Sequence, residues 1–323
     1  MFKTKVTEIL NIQYPILQGA MQWISRAELA AAVSNAGGLG ILASAHFSSK
    51  QELVDEIRKT KSLTDKPFAV NINLFPSIRP MPNDKFVEAI IEEGVPAVET
   101  SGVRSPEEFV DTFKKNNVTL IHKVAGVRYA KKAESVGADI VTIVGFSNGG
   151  ALGMDDVSTM VLVPRAVDEV KIPVIAGGGI GDGRGLVAAL ALGAEGVVMG
   201  TRFMATTECP LHPNVKEKML QTKEVDTTVI MRSIRNTHRA MKNKPSELVR
   251  EMEDRGATLE ELLTVIGGEK ALQAMETGDV DNGLVFCGQV VGLIDKIVSV
   301  EELISGMVKE AQEMMQRLNL KIS

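Results

Sequence analysis

The sequence predicts an α/β protein, a (β/α)8 TIM barrel with an inserted helical subdomain after strand eight, on three observations. Short apolar strands alternate with amphipathic helices eight times within about 200 residues. Nearly every one of these strands ends in glycine or a polar residue, as strands do when their C-terminal ends ring a mouth. The stretch 172–203, IPVIAGGGIGDGRGLVAALALGAEGVVMGTRF, holds two continuous apolar strands joined by a helix, the pattern of a parallel βαβ unit buried on both faces.

Taken in order, YPILQGAM at 14–21 is an apolar strand ending at Gly19 and Met21, and RAELAAAVSNAGG at 26–38 is a helix stopped by Gly37 and Gly38. LGILAS at 39–44 is the second strand, followed by a helix from about Ser49 to Lys61. PFAVNINL at 67–74 is the third, with a helix from about Asn83 to Glu93. PAVETSG at 96–102 is the fourth, and Ser105 with Pro106 supplies the N-cap and first-turn proline of its helix. TLIHKVAG at 119–126 is the fifth, with a helix reaching Val136, and ADIVTIVG at 138–145 is the sixth. A Gly-rich loop and a helix near Val157 to Val170 come next. The seventh strand, Pro173 to Ala176, leads through Gly177, Gly178 and Gly179 into a helix from about Asp182 to Leu192; the eighth, Gly196 to Met199, closes on Gly200 and Thr201.

No obvious helix follows strand eight directly. From about Glu208 to Asp281 the chain reads as mostly helical, charged and methionine-containing, as in KPSELVREMEDRG (244–256) and TLEELLTVIGG (258–268). Residues 208–281 are therefore read as an inserted helical subdomain, a surface cap over the barrel mouth, and 1–207 with 282–323 as the barrel itself. The closing helices begin near Gly288 and include 299–318.

The 323 residues suit a barrel of about 250 residues plus an appendage. Hydrophobic content of 44%, 24% charged residues and a net charge of −5 describe a soluble enzyme and argue against a nucleic-acid surface. Cys209 and Cys287 have neither disulfide-framework nor metal-ligand spacing, so both read as small buried apolar residues and no metal is expected. With no apolar run long enough to span a membrane and no leader-like N-terminus, the expected location is cytoplasmic. The expected partners are a small-molecule substrate and a second copy of the chain in a homodimer, not nucleic acid or membrane.

Two glycine-rich strand ends side by side, GGG at 177–179 and MGT at 199–201, offer main-chain N–H groups to an anion, which predicts a phosphate-bearing ligand after strands seven and eight. The other strand ends contribute Gly19, Ala20 and Met21; Ser44 and His46; Asn71 and Asn73; Glu99 and Ser101; His122 and Lys123; and Gly145 through Gly150, which include Gly149 and Gly150. These supply no paired carboxylates, metal cluster or Ser/His/Asp set. A site of glycine, amide and one lysine suits a flat aromatic cofactor that carries the reactivity itself. Asn71 can donate and accept at the edge of a flavin ring, and Lys123 can place positive charge at its pyrimidine edge. The plainer alternatives are that Asn71 caps its strand and Lys123 pairs with a carboxylate such as Glu99. His46 is the better catalytic candidate of the two strand-end histidines; His212 and His238 lie beyond the barrel.

PILQGAM at 15–21, AGGLG at 36–40, VNI at 70–72, HK at 122–123, the long block 177–213 and CGQVVGLI at 287–294 resemble the nitronate monooxygenase family, formerly called 2-nitropropane dioxygenases. The resemblance spans almost the whole chain. It implies an FMN-binding TIM barrel, with relatives among quinone reductases and FMN-dependent enoyl-acyl carrier protein reductases. Carried over residue by residue, it implies that Ala20 and Met21 lie along the flavin and that Asn71 and Lys123 bond its ring. Gly178, Gly179, Gly200 and Thr201 would hold its phosphate, with Gly149, Gly150 and Ala151 beside it and Gln289 approaching from the C-terminal segment. One departure stands out. Members commonly place a proton-abstracting histidine in the loop after strand six; here that loop reads GFSNGGALGMDD and the position falls on Ala151.

A nitronate is already deprotonated and its oxidation survives this loss, whereas a neutral nitroalkane needs another base, for which His46, Asp155 and Asp156 are weak candidates. The resemblance thus implies an FMN-dependent oxidoreductase acting on alkyl nitronates. The alternative is an NAD(P)H-dependent reductase of quinones or enoyl thioesters, and a further one a flavin-binding protein without turnover.

Overall fold

β-Branched and other apolar residues make up most of the barrel strands, and the computed structural model, which describes residues 2–75, 82–102 and 104–322, pairs eight of them in one parallel sheet. In chain order the strands are β1 (Ile16–Gln18), β2 (Gly40–Ala43), β3 (Phe68–Asn73), β4 (Ala97–Ser101), β5 (Thr119–Val124), β6 (Ile140–Val144), β7 (Gly150–Ala151), β8 (Val174–Gly177), β9 (Gly196–Met199), β10 (Thr227–Ile230) and β11 (His238–Met241). The large sheet runs β1-β9-β8-β6-β5-β4-β3-β2. A parallel bridge between Leu17 and Leu39 closes it into a ring, and the Gln18 side chain extends the seam by accepting the Ile41 N–H at 3.0 Å.

Side chains alternate along a strand, so one set fills the barrel and the other faces the helices. Leu17, Leu39, Ile41, Ala69, Ala97, Ile121, Ile140, Ile175 and Val198 point inward, where Val6 and Leu10 from the N-terminal helix Lys5–Leu10 and Ile12, two residues beyond it, pack on them and plug the N-terminal end. Two residues further along the same inward face come Asn71, Glu99, Lys123 and Thr142, at the opposite end. The barrel interior is apolar at the base and polar at the mouth.

Seven helices follow the strands around the outside, from Ala27–Asn35 to Gly183–Ala191, and the long helix Val300–Ile322 completes the ring. It crosses the Gly183–Ala191 helix so closely that a Cβ on Gly183 would stand 2.6 Å from the Ala311 nitrogen and the Met307 oxygen. The eighth helix thus arrives only after the insertion, which is why none is visible directly after strand eight, where only the short Thr201–Met204 turn of helix lies.

Between them lie helices Pro213–Gln221, Lys244–Asp254, Leu259–Ile266 and Gly268–Thr277 together with a hairpin, β10 and β11, which the mostly helical reading did not foresee. The two strands are four residues each, too short to show a period. Part of their partner is remote in sequence: β11 pairs with β7 in the loop after β6, with Ala151 opposite His238 and Gly150 opposite Arg239. Ile230, Met231, Ala240, Val249, Met252 and Leu262 give this region its own apolar cluster.

Asn243 joins it to the barrel. Its side chain caps the Lys244–Asp254 helix by accepting the Ser246 N–H at 3.2 Å and donates to the carbonyls of Val280 at 2.9 Å and Gly283 at 2.8 Å, where the chain turns back toward the barrel. Asn243→Ala is expected to cost about 1–2 kcal/mol of stability, read as a lowered denaturant midpoint, because cap and tether go together.

Candidate active site

The ends of β8 and β9 set Gly178 and Gly179 beside Gly200 and Thr201 in one small recess, and two segments complete its wall: Ser147, Asn148 and Gly149 after β6, and Gly288 from the returning chain. The backbone there needs glycine. Gly178 has φ +91° and a Cβ on it would lie 2.8 Å from the Gly145 oxygen; a Cβ on Gly149 would lie 2.4 Å from the Gly288 nitrogen. Thr159 Oγ1 donates to the Gly178 carbonyl at 2.7 Å, Thr201 Oγ1 accepts the Gly288 N–H at 2.9 Å, and the Gln289 N–H donates to the Ser147 carbonyl at 3.1 Å. Gln289 does not itself line the recess; its main chain ties the returning segment to Ser147, which does. Gly200 is less crowded than Gly178 or Gly149: a Cβ there would meet nothing nearer than Met21 Sδ at 3.5 Å, which puts Met21, in the Ala20–Met21 segment that follows β1, beside the recess.

Across the mouth lies a connected polar layer. Lys123 Nζ pairs with Glu99 Oε1 at 2.7 Å, Asn71 Nδ2 donates to the same oxygen at 2.8 Å and to Ser101 Oγ at 3.1 Å. Glu99 is fully buried while Lys123 keeps part of its side chain accessible. Glu99 Oε2 and the buried Thr142 Oγ1 have no hydrogen-bond partner. Lys123 is thus paired with the carboxylate that the sequence offered as its plainer partner, and the pairing holds it and Asn71 on the inward face rather than withdrawing them.

The histidines separate. His122 alternates with Ile121 and Lys123 and so faces outward, where Thr100 Oγ1 lies 2.8 Å from its Nδ1. His46 sits in the Ser44–His46 turn after β2, 4.1 Å from the Phe47 ring centroid and 5.6 Å from that of Trp23. Burial pushes both down to about 4, and for His46 the nearby Arg26 charge adds to it. Neither is charged at neutral pH, and neither ring nitrogen of His46 has a partner. Unfolded histidines take up a proton near 6.5, so below that pH the unfolded chain binds more protons: stability is complete above 6.5 and is lost as pH falls toward 4. Denaturant midpoints measured across that window should decline, and His122→Asn should flatten the decline.

Ala151 lies half-buried on β7, with His238 as its cross-strand neighbour. The His238 Nδ1 is 2.7 Å from the Asn236 carbonyl, its ring is 5.4 Å from that of Phe286, and burial lowers its pKa. His238, placed beyond the barrel on sequence order, is brought beside the loop after β6 by the hairpin. His212 instead caps the Pro213–Gln221 helix through Nδ1, and Asp156 pairs with Arg232. Cys209 and Cys287 are buried thiols held protonated, at about 11 and about 12, by burial.

Ser147 and Asn148 lie within the Gly145 to Gly150 range offered by the sequence, whereas Gly288 and Thr142 were concealed by sequence order. The last could have been found by counting alternate residues back from Val144, but the phase of a nearly all-apolar strand is not visible in its letters.

Compared with known proteins, residues 3–310 match the model of the family described as nitronate monooxygenase. A Staphylococcus saprophyticus protein named "Probable nitronate monooxygenase" is 35% identical, covering 97% of this chain and 99% of that one. The (3aS,4S,5R,7aS)-5-hydroxy-7a-methyl-1-oxo-octahydro-1H-indene-4-carboxyl-CoA dehydrogenase of Rhodococcus jostii is 34% identical, covering 96% of each. The solved structure of FabK from Thermotoga maritima is 38% identical over 99% of both chains, with a TM-score of 0.93. A match over nearly the whole chain, on a barrel whose mouth is built as described, makes this oxidoreductase a member of the nitronate monooxygenase family.

Proposed function

We propose that the protein is an FMN-dependent oxidoreductase that oxidises alkyl nitronates at the C-terminal mouth of its barrel. The observation that carries this is the recess at Gly178, Gly179, Gly200 and Thr201 at the same end of the barrel as the Asn71–Glu99–Lys123 layer. The fit to FMN is physical. Main-chain N–H groups at the two strand ends suit a phosphate, and Gly200 puts no side chain into the recess it lines. The unpartnered Glu99 Oε2 and Thr142 Oγ1 and the paired Lys123 offer an acceptor, a hydroxyl and a cation to a polar ring edge.

When bound, FMN supplies two-electron acceptance from the substrate and delivery to oxygen or another acceptor. The chain's own residues would hold and orient it: the recess would take the phosphate, Met21 and Ala20 would lie along the ring, and Lys123 would stabilise negative charge on it. Ala151 can take no proton, which favours a substrate that arrives deprotonated.

A second reading, an NAD(P)H-dependent reductase of enoyl thioesters or quinones, is supported by the 38% identity to FabK and by the CoA-thioester dehydrogenase among the relatives. Anaerobic stopped-flow separates the two. Rapid bleaching by an alkyl nitronate and none by NADH or NADPH is the expected result, bleaching by a nicotinamide favours the second reading, and failure of every donor would mark a flavin binder without turnover.

A further inference from the structure

We infer that Glu99 is a positioning residue that sets how strongly the bound flavin holds electrons, by offsetting the charge of Lys123 and by fixing which end of the Asn71 amide meets the ring. The inference rests on the mouth being an FMN site, and concerns a carboxylate whose bonded oxygen would act on the ring through two other residues.

The geometry begins with one oxygen. Glu99 Oε1 accepts from Lys123 Nζ at 2.7 Å and from Asn71 Nδ2 at 2.8 Å, while the whole side chain is buried. A carboxylate oxygen can only accept, so the Asn71 atom facing it must be the amide nitrogen. That nitrogen's second hydrogen goes to Ser101 Oγ at 3.1 Å. Both donors are spent. Asn71 therefore has only its Oδ1 for a ligand and selects a ring N–H, not a ring carbonyl.

The charge argument follows from the same contact. Away from water, opposite charges this close present the mouth with almost no net charge, and a group beyond them feels the small residue of two large fields. A lone lysine there would strongly favour the anionic, reduced ring; a lysine tied to Glu99 favours it much less. The pair is anchored in rigid structure, because Glu99 and Lys123 stand on the adjacent strands β4 and β5. The second oxygen, Oε2, is buried without a partner, as is Thr142 Oγ1 on β6, where Lys123 and Thr142 are register partners. Leaving such atoms unpaired is costly, and a ligand that reaches them removes that cost.

The test is a potentiometric titration of bound FMN in the wild type, Glu99→Gln, Lys123→Met and the double variant. Glu99→Gln is expected to move the midpoint to more positive potential, Lys123→Met to more negative, and the double variant back toward the wild type. Glu99→Asp, which keeps the charge, should lie closer to the wild type than Glu99→Gln and serves where the glutamine variant fails to fold. A Glu99→Gln protein that binds FMN at the wild-type potential, or a Glu99→Asp protein shifted as far as Lys123→Met, would overturn the inference. Wild-type protein that takes up no FMN would instead defeat the cofactor reading beneath it.

Discussion

Gly149→Ala is expected to weaken FMN binding about 100-fold, equivalent to about 2.7 kcal/mol. The added methyl would stand 2.4 Å from the Gly288 nitrogen and 2.5 Å from the Cys287 carbonyl carbon, and backbone cannot rotate out of the way as a side chain can. Relief comes only by parting the loop after β6 from the returning segment. That parting breaks the bonds from the Gln289 N–H to Ser147 and from the Gly288 N–H to Thr201 Oγ1, and widens the recess that both segments wall. The next residue provides the contrast. Gly150 has φ +69° but a Cβ there meets nothing within 4 Å, so Gly150→Ala should cost only the left-handed strain of about 1 kcal/mol. Fluorescence titration of the apoproteins with FMN, alongside circular dichroism, measures both; equal losses at the two positions would refute the account of the recess.

Ala151→His is expected to raise kcat/KM for neutral nitroalkanes by about 100-fold while changing that for the corresponding nitronates little, the scale of a positioned general base. The new imidazole would sit on β7 opposite His238, within the roughly 5 Å that separates cross-strand Cβ atoms. Two imidazoles so close disfavour each other's protonation, which keeps the new one in its basic form. Steady-state rates on a nitroalkane and on its preformed nitronate give the ratio directly. If both substrates gained equally, the absent proton acceptor would not be what limits this enzyme.

Much of the mouth was legible in one dimension because strand ends in a barrel converge whatever their order in the chain. PFAVNINL and TLIHKVAG identify strands whose residues near the C-terminal end, Asn71 and Lys123, do share one layer, and GGG with MGT do form one recess. Legibility failed where a side chain's phase or a distant partner decides. In TLIHKV nothing distinguishes His122 from Lys123 as the inward residue, and the register puts the histidine outside. His46 stands at a strand end as expected, yet two aromatic rings and burial make it a poor proton acceptor at neutral pH.

Local sequence alone determined the barrel, its eight strands and its glycine-built recess, because apolar period, helix stops and left-handed turns are properties of neighbouring residues. Tertiary structure decided the rest. Which carboxylate holds Lys123, which way the Asn71 amide points, that Gly288 returns to wall the recess, and that β7 pairs with a hairpin far along the chain all depend on contacts across strands. Those contacts are set by register and closure of the ring, and a hydrogen bond between strands leaves no mark on either strand's own letters.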